Sequence, residues 1–232
     1  MDGFSGFSPA FFDFFRALKD DNSREWFTAN KARYEAEVVT PLMAFISAMQ
    51  PHLKAIAPHF IAEPKKQGGS MFRIYRDVRF SKDKRPYKEH GACQFRHEAG
   101  GGRDVHAPGY YVHLEPGRVM FGGGIWLPPS DALAAIRQKI VRDPKGWDMV
   151  IGDADLQAAF GGIGGDGLVR PPKGFDAGHR HIEDIKRKTF FVMQEASETD
   201  AGRADFVERV AEAYKAASPL MRFLCSANGV PF

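Results

Sequence analysis

Residues 110–121 read YYVHLEPGRVMF, two short runs rich in β-formers parted by Pro116-Gly117. Runs of this kind on either side of a tight turn predict a β-hairpin, Tyr110 to Glu115 returning through Arg118 to Phe121. Strand alternation puts Tyr111, His113 and Glu115 on one side of the hairpin. A polar face turned to solvent is the cheaper explanation of that side, and the wall of a pocket is the alternative.

Upstream of the hairpin, Gly68-Gly69 is a turn signal. From there to Trp126 short β-prone runs alternate with Gly and Pro, Ala92 to His97 being a further strand, which points to an antiparallel sheet. Gly122-Gly123-Gly124 reads as a bend or bulge at a strand end. The first sixty residues read as helices. Ser8-Pro9 offers a cap and a first-turn proline, and Phe11, Phe12, Phe14, Phe15 and Leu18 form a wide apolar face. Asn22 with Glu25 suggests a capping box. Thr40-Pro41 restarts or kinks the next helix, and Leu42, Phe45, Ile46, Met49 and Leu53 continue it to a stop near Pro58.

Beyond Pro128-Pro129 helix returns with Leu133, Ile136, Ile140 and Val141 on one face. The run FGGIGGDGLVRPPK, residues 160–173, requires irregular backbone. Lys188 to Met193 reads as a further strand, Phe206 to Tyr214 as a long helix, and Ser218-Pro219 as another helix start. Helices, then sheet, then helices make an α+β fold, a helical N-terminal region, a central antiparallel sheet with its hairpin, and C-terminal helices packed on that sheet. Residues 1–232 are expected to form a single domain.

Composition narrows the function classes. The chain has 232 residues, is 44% hydrophobic and 26% charged, and carries a net charge of +3, too weak to announce nucleic-acid binding for the whole. Its 20 phenylalanines are expected to pack a core. Cys93 and Cys225 lack the spacing of a zinc site or a disulfide framework. Asp2 and Asp13 stand where a signal peptide would be basic, and no apolar run approaches membrane-spanning length. A cytoplasmic protein without a membrane partner is the expectation.

Charge is concentrated in FRIYRDVRFSKDKRPYKEH, residues 72–90. Seven Lys/Arg against three Asp/Glu give this stretch +4. Read as strand or as helix, Phe72 to Phe80 brings an arginine beside Asp77 or beside apolar side chains. Ser81, Asp83 and Pro86 favour turns, projecting Lys82, Lys84, Arg85 and Lys88 beside Tyr87. Guanidinium forks suit phosphates, and aromatics among cations can stack a base. A second basic run, RPPKGFDAGHRH from Arg170, is stiffened by prolines and opened by Gly174.

Folded together, the two runs would make a pocket for a phosphorylated small molecule or a nucleic-acid end. Arg73, Arg76, Arg79, Lys82, Lys84, Tyr87, Lys88, Arg170 and Lys173 would hold the ligand, with Asp77 and His179 as acid/base groups. Phosphoryl or phosphodiester chemistry is the reaction class to test first. The rival readings are a non-catalytic module binding protein or nucleic acid, and a structural network pairing these arginines with Asp77, Asp83 and Asp176. Asp176, His179 and His181 are metal-ligand types without a metal-site spacing, so no metal is expected; a metal-assisted enzyme would use His113, Glu115 or His179. The glycine-rich runs match no nucleotide-binding fingerprint, and cofactor and oligomeric state stay open.

Five stretches together carry a resemblance: FFDFFRALKDDNSREWFTANKARYE (11–35), FRIYRDVRFSKDKRPYK (72–88), GYYVHLEPG (109–117) with its GGG-x-W continuation, RPPKGFD (170–176) with His179 and Lys186 downstream, and PLMRFL (219–224). The chain resembles, over nearly its full length, the bacterial domain-of-unknown-function family 2461. That resemblance implies a single-domain cytoplasmic unit and brings no activity with it. HEAGGGRDVHAP (97–108) fits the pattern least, and no role is expected for His106.

Overall fold

A computed structural model of the chain describes residues 3–100 and 107–232; His106 lies outside them. The hairpin forms as read. β3 (Gly109–Glu115) and β4 (Arg118–Ile125) pair antiparallel from Gly109↔Gly124 to Glu115↔Arg118. Gly117 at φ +77° supplies the left-handed residue that a tight reversal requires. β1 (Phe60–Ile61), β2 (Gly91–His97) and β5 (Phe190–Ala196) complete a five-stranded antiparallel sheet in chain order.

Helices pack on one face of this sheet. The helix Pro9–Asp20 opens with Pro9 in its first turn, and Ser8 occupies the cap position without a side-chain hydrogen bond. Its rings Phe11, Phe12, Phe14 and Phe15 are all buried, as the apolar face requires. The next cap falls one residue later than the capping-box pattern suggests. Ser23 Oγ accepts from Trp26 N at 3.1 Å, and Asn22 instead bonds the Tyr87 backbone, as described below. A π-helical turn, Glu35–Val39, precedes the helix Thr40–Ile56, which carries Pro41 in its first turn. Pro41 has no N–H to donate, so the widened turn falls where the α-helical ladder is interrupted. Ala57 caps the helix just before Pro58.

On the C-terminal side lie Ser130–Arg142, Pro144–Ile151, Ala154–Phe160, Phe206–Ala216 and Ser218–Ala227. Ile136 and Ile140 are buried as expected, whereas Val141 is 40% exposed, one position round the helix from the apolar stripe. The core runs from Phe7 to Cys225 and joins both helical regions to Phe95, Tyr110, Val112, Phe121 and Val192 on the inner sheet face. Among the described residues no helix is long and apolar enough to cross a membrane.

Two readings are corrected. The triple glycine makes no bulge, since Gly122, Gly123 and Gly124 all sit in register between β3 and β5. Residues 72–88 form neither a strand nor a helix. Backbone contacts tie the segment to β2 at Phe72 N→Ala92 O (3.0 Å) and Gln94 N→Ser70 O (2.8 Å). It then folds on itself through Arg76 N→Pro86 O (2.9 Å) and Lys88 N→Ile74 O (2.8 Å). Pro86 and the turn-formers of the return leg permit these isolated bridges and no longer ladder.

Candidate ligand-binding site on the open face of the sheet

The sheet face away from the helices carries Gln94 and Arg96 from β2, Tyr111, His113 and Glu115 from β3, Arg118 and Met120 from β4, and Phe191 and Met193 from β5. A cavity of about 480 Å³ lies over it, within the range of small-ligand sites. Phe72, Tyr111, Trp126, Phe191 and Met193 make its apolar walls, Gly109 and Gly124 contribute backbone, and Arg118 stands at its edge. A Cβ at Gly124 would lie 2.3 Å from the Phe190 carbonyl, at a backbone φ of +152°. The glycines therefore do two things: they let β4 and β5 close up, and they leave the floor bare.

The aromatic walls are held in place. Phe72 has Lys88 Nζ 5.1 Å and the Arg96 guanidinium 5.8 Å from its ring centre, contacts that orient a half-buried ring. Trp126 leans on Phe191 at 5.5 Å between centres. Leu127, next in the chain, adopts φ +44°, a left-handed conformation costing about 1–2 kcal/mol for a residue with a side chain. That strain turns the chain towards Pro128 immediately after the ring is delivered.

Along β3 runs a connected string. Tyr111 Oη lies 3.0 Å from His113 Nδ1, and His113 Nε2 lies 3.0 Å from Glu115 Oε2. His113 is only 6% exposed, so the solvent-face reading of these three residues is wrong at its centre. The ring of His90 covers His113 at 4.3 Å. Burial, followed by the neighbouring His113 and Lys88, lowers the His90 pKa to about 4. Burial pushes the Tyr111 hydroxyl up to about 12, against the opposing pull of Arg118.

His90 makes stability depend on pH. Unfolded, it titrates near 6.5, so between pH 6.5 and 4 the unfolded chain takes up a proton that the folded chain refuses. This contribution to stability is complete above pH 6.5 and is lost as pH falls towards 4, about 2–3 kcal/mol in all. Urea unfolding at pH 7 and 4.5 should show His90→Gln losing that much less stability than the parent; equal losses would refute the assignment.

The structure distributes the sequence-predicted residues unevenly. Arg76 reaches Asp83 at 2.7 Å, Arg79 grips Asp77 with two nitrogens at 2.9 and 2.6 Å, and Arg85 bonds both Asp83 and Glu89. Arg79 thereby holds the Asp77 carboxyl down to about 2, leaving it ionised and weakly basic at neutral pH. Lys84 donates to the Val78 carbonyl and Lys88 to that of Arg73, each at 2.9 Å. Tyr87 is buried and stacked 4.2 Å from Phe27. Its N–H donates to Asn22 Oδ1 at 3.0 Å, an anchor between the N-terminal helices and the basic segment. Arg73 and Lys82 have no carboxylate partner among the described residues.

The second basic run sits elsewhere. Gly164 N bonds Phe191 O at 2.7 Å and Leu168 N bonds Lys186 O at 2.8 Å, which places Arg170 and Lys173 beyond the β5 edge. The two basic stretches thus attach to opposite edges, and β2 and β5 alone are about 14 Å apart at ordinary strand spacing. They do not close on one phosphate. His179 Nδ1 accepts from His181 N at 3.1 Å, and His181 Nε2 lies 3.0 Å from Asp148, a local network away from the cavity. Among the described residues no group of His, Cys, Asp or Glu is arranged to hold a metal ion.

Phe72, Trp126, Phe191 and Arg118 are the wall residues that sequence reasoning missed. Trp126, two residues beyond the triple glycine, was the available signal. A family described as conserved hypothetical protein (DUF2461) matches residues 10–223. No curated protein and no solved structure matches the chain.

Proposed function

The chain belongs to the family described as conserved hypothetical protein (DUF2461), whose description names no activity, and from its geometry we propose that the open sheet face binds a phosphorylated ligand, a nucleotide or a single-stranded nucleic-acid end. The observation that carries this reading is the cavity walled by Phe72, Tyr111, Trp126 and Phe191 with Arg118 at its edge. Flat rings stack on such walls, at about 1–3 kcal/mol per base, whatever the base. Arg118 makes no ion pair among the described residues and is free to meet a phosphate.

Arg73 and Lys82 on one edge and Arg170 and Lys173 on the other extend positive charge along both sides. A ligand of several nucleotides touches both edges; a mononucleotide touches one. The paired arginines have a different part. Arg76 and Arg85, through Asp83 and Glu89, brace the segment whose Phe72 forms a wall, so the structural-network reading suits them.

Titration with an eight-residue oligothymidylate, followed by calorimetry, tests the proposal. Saturable one-to-one binding is expected. With about three phosphate contacts it should weaken roughly twentyfold between 50 and 200 mM salt. Binding that ignores salt, or no binding by oligothymidylate or by nucleoside monophosphates, would overturn it.

A further inference from the structure

We infer that the cavity is an active site in which Tyr111 is the nucleophile towards a phosphodiester, with His113 as its general base and Glu115 as the group that orients His113. This deepens the binding proposal and rests on it.

The geometry is that of an activated hydroxyl. A nucleophile, a base within hydrogen-bond reach and a third group fixing the base are the parts such catalysis needs. Here they are Tyr111 Oη, His113 Nδ1 at 3.0 Å and Glu115 Oε2 at 3.0 Å from His113 Nε2. Glu115 accepts the Nε2 proton, which leaves Nδ1 with the lone pair that faces the phenol. A phenol raised by burial is inert alone and strongly nucleophilic once a base takes its proton. The ring of His90 lies 4.3 Å from that of His113, which is 6% exposed. Nothing in the fold demands this string: the three side chains lie on the sheet face that the helices leave uncovered, and residues with no polar group would pair there equally well.

The steps balance without a redox partner. Tyr111 Oη forms a bond to phosphorus as His113 Nδ1 takes its proton. The bond from phosphorus to the departing oxygen breaks, its electron pair leaves with that oxygen, and the imidazolium returns the proton to it. Water then attacks the phosphotyrosyl group, losing a proton to His113, and Tyr111 leaves as phenolate and is reprotonated. The net reaction is phosphodiester plus water giving alcohol plus phosphomonoester. Arg118, close enough to influence Tyr111, meets charge developing on the phosphoryl oxygens.

The test uses the full chain and bis(4-nitrophenyl) phosphate. The expected results are nitrophenolate release with a burst, and an acid-stable nitrophenylphosphoryl adduct on the peptide carrying Tyr111. Tyr111→Phe keeps the ring and should abolish both, at least a thousandfold in rate. His113→Gln should slow the burst about a hundredfold. Turnover surviving in Tyr111→Phe overturns the inference. So does a parent protein that binds oligothymidylate and cleaves nothing, an outcome that leaves the binding proposal intact. Cleavage through Tyr111 without oligothymidylate binding would uphold the nucleophile and overturn the nucleic-acid end as ligand in favour of a small phosphodiester, and absence of both would sink both.

Discussion

Gly122→Ala should cost the protein about 3 kcal/mol or more, lowering the melting temperature by roughly 10 °C or preventing soluble expression. A Cβ at this position would lie 1.9 Å from the Val192 carbonyl oxygen and 2.9 Å from Met193 Cα. Both atoms are backbone of β5, so no side chain can swing aside. The strands must part, and with them the ladder that joins the two halves of the open face. Gly117→Ala is the control. Gly117 sits at φ +77° with nothing within 4 Å of an added Cβ, so it should lose only about 1 kcal/mol, from strain. A melting temperature for Gly122→Ala within 2 °C of the parent would mean that β4 and β5 do not pair in this register.

Trp126→Ala is the second large effect, and it falls on binding. The residue is 57% exposed, so its removal should barely change stability. Losing one stacking ring should weaken oligothymidylate binding by about 1–3 kcal/mol, roughly five- to 150-fold. Arg79→Ala provides the contrast. Its guanidinium is committed to Asp77 on an exposed turn, and pairs of that kind contribute little, so affinity should change less than twofold. Equal losses in the two variants would argue for diffuse attraction to the basic segment in place of a site on the sheet.

The sequence disclosed elements more readily than faces. Tyr110–Phe121 was legible as a hairpin because strand alternation and Pro116-Gly117 are local signals, and the Phe11–Leu18 stripe was legible for the same reason. Local signals cannot say which side of a sheet the helices will cover. That single fact converts Tyr111, His113 and Glu115 from a wet edge into a half-buried string, and it turns the triple glycine into a floor. Charge density is a weak guide to the open face for a different reason. Arg76, Arg79 and Arg85 have acids two to seven residues away, and short-range pairing needs no tertiary structure, so the densest cluster is also the most self-satisfied. Arg118, with no ion-pair partner among the described residues, had no such local marker.

Methionine methyl groups give the most direct test of where a ligand sits. Met120 and Met193 line the cavity, whereas Met49 and Met221 are buried among the helices and Met149 is exposed on a helix of the far layer. In protein labelled with 13C at methionine methyls, adding oligothymidylate should shift Met120 and Met193 and leave Met49, Met149 and Met221 in place. Saturable binding with Met120 and Met193 unmoved would place the ligand elsewhere and contradict the open-face site.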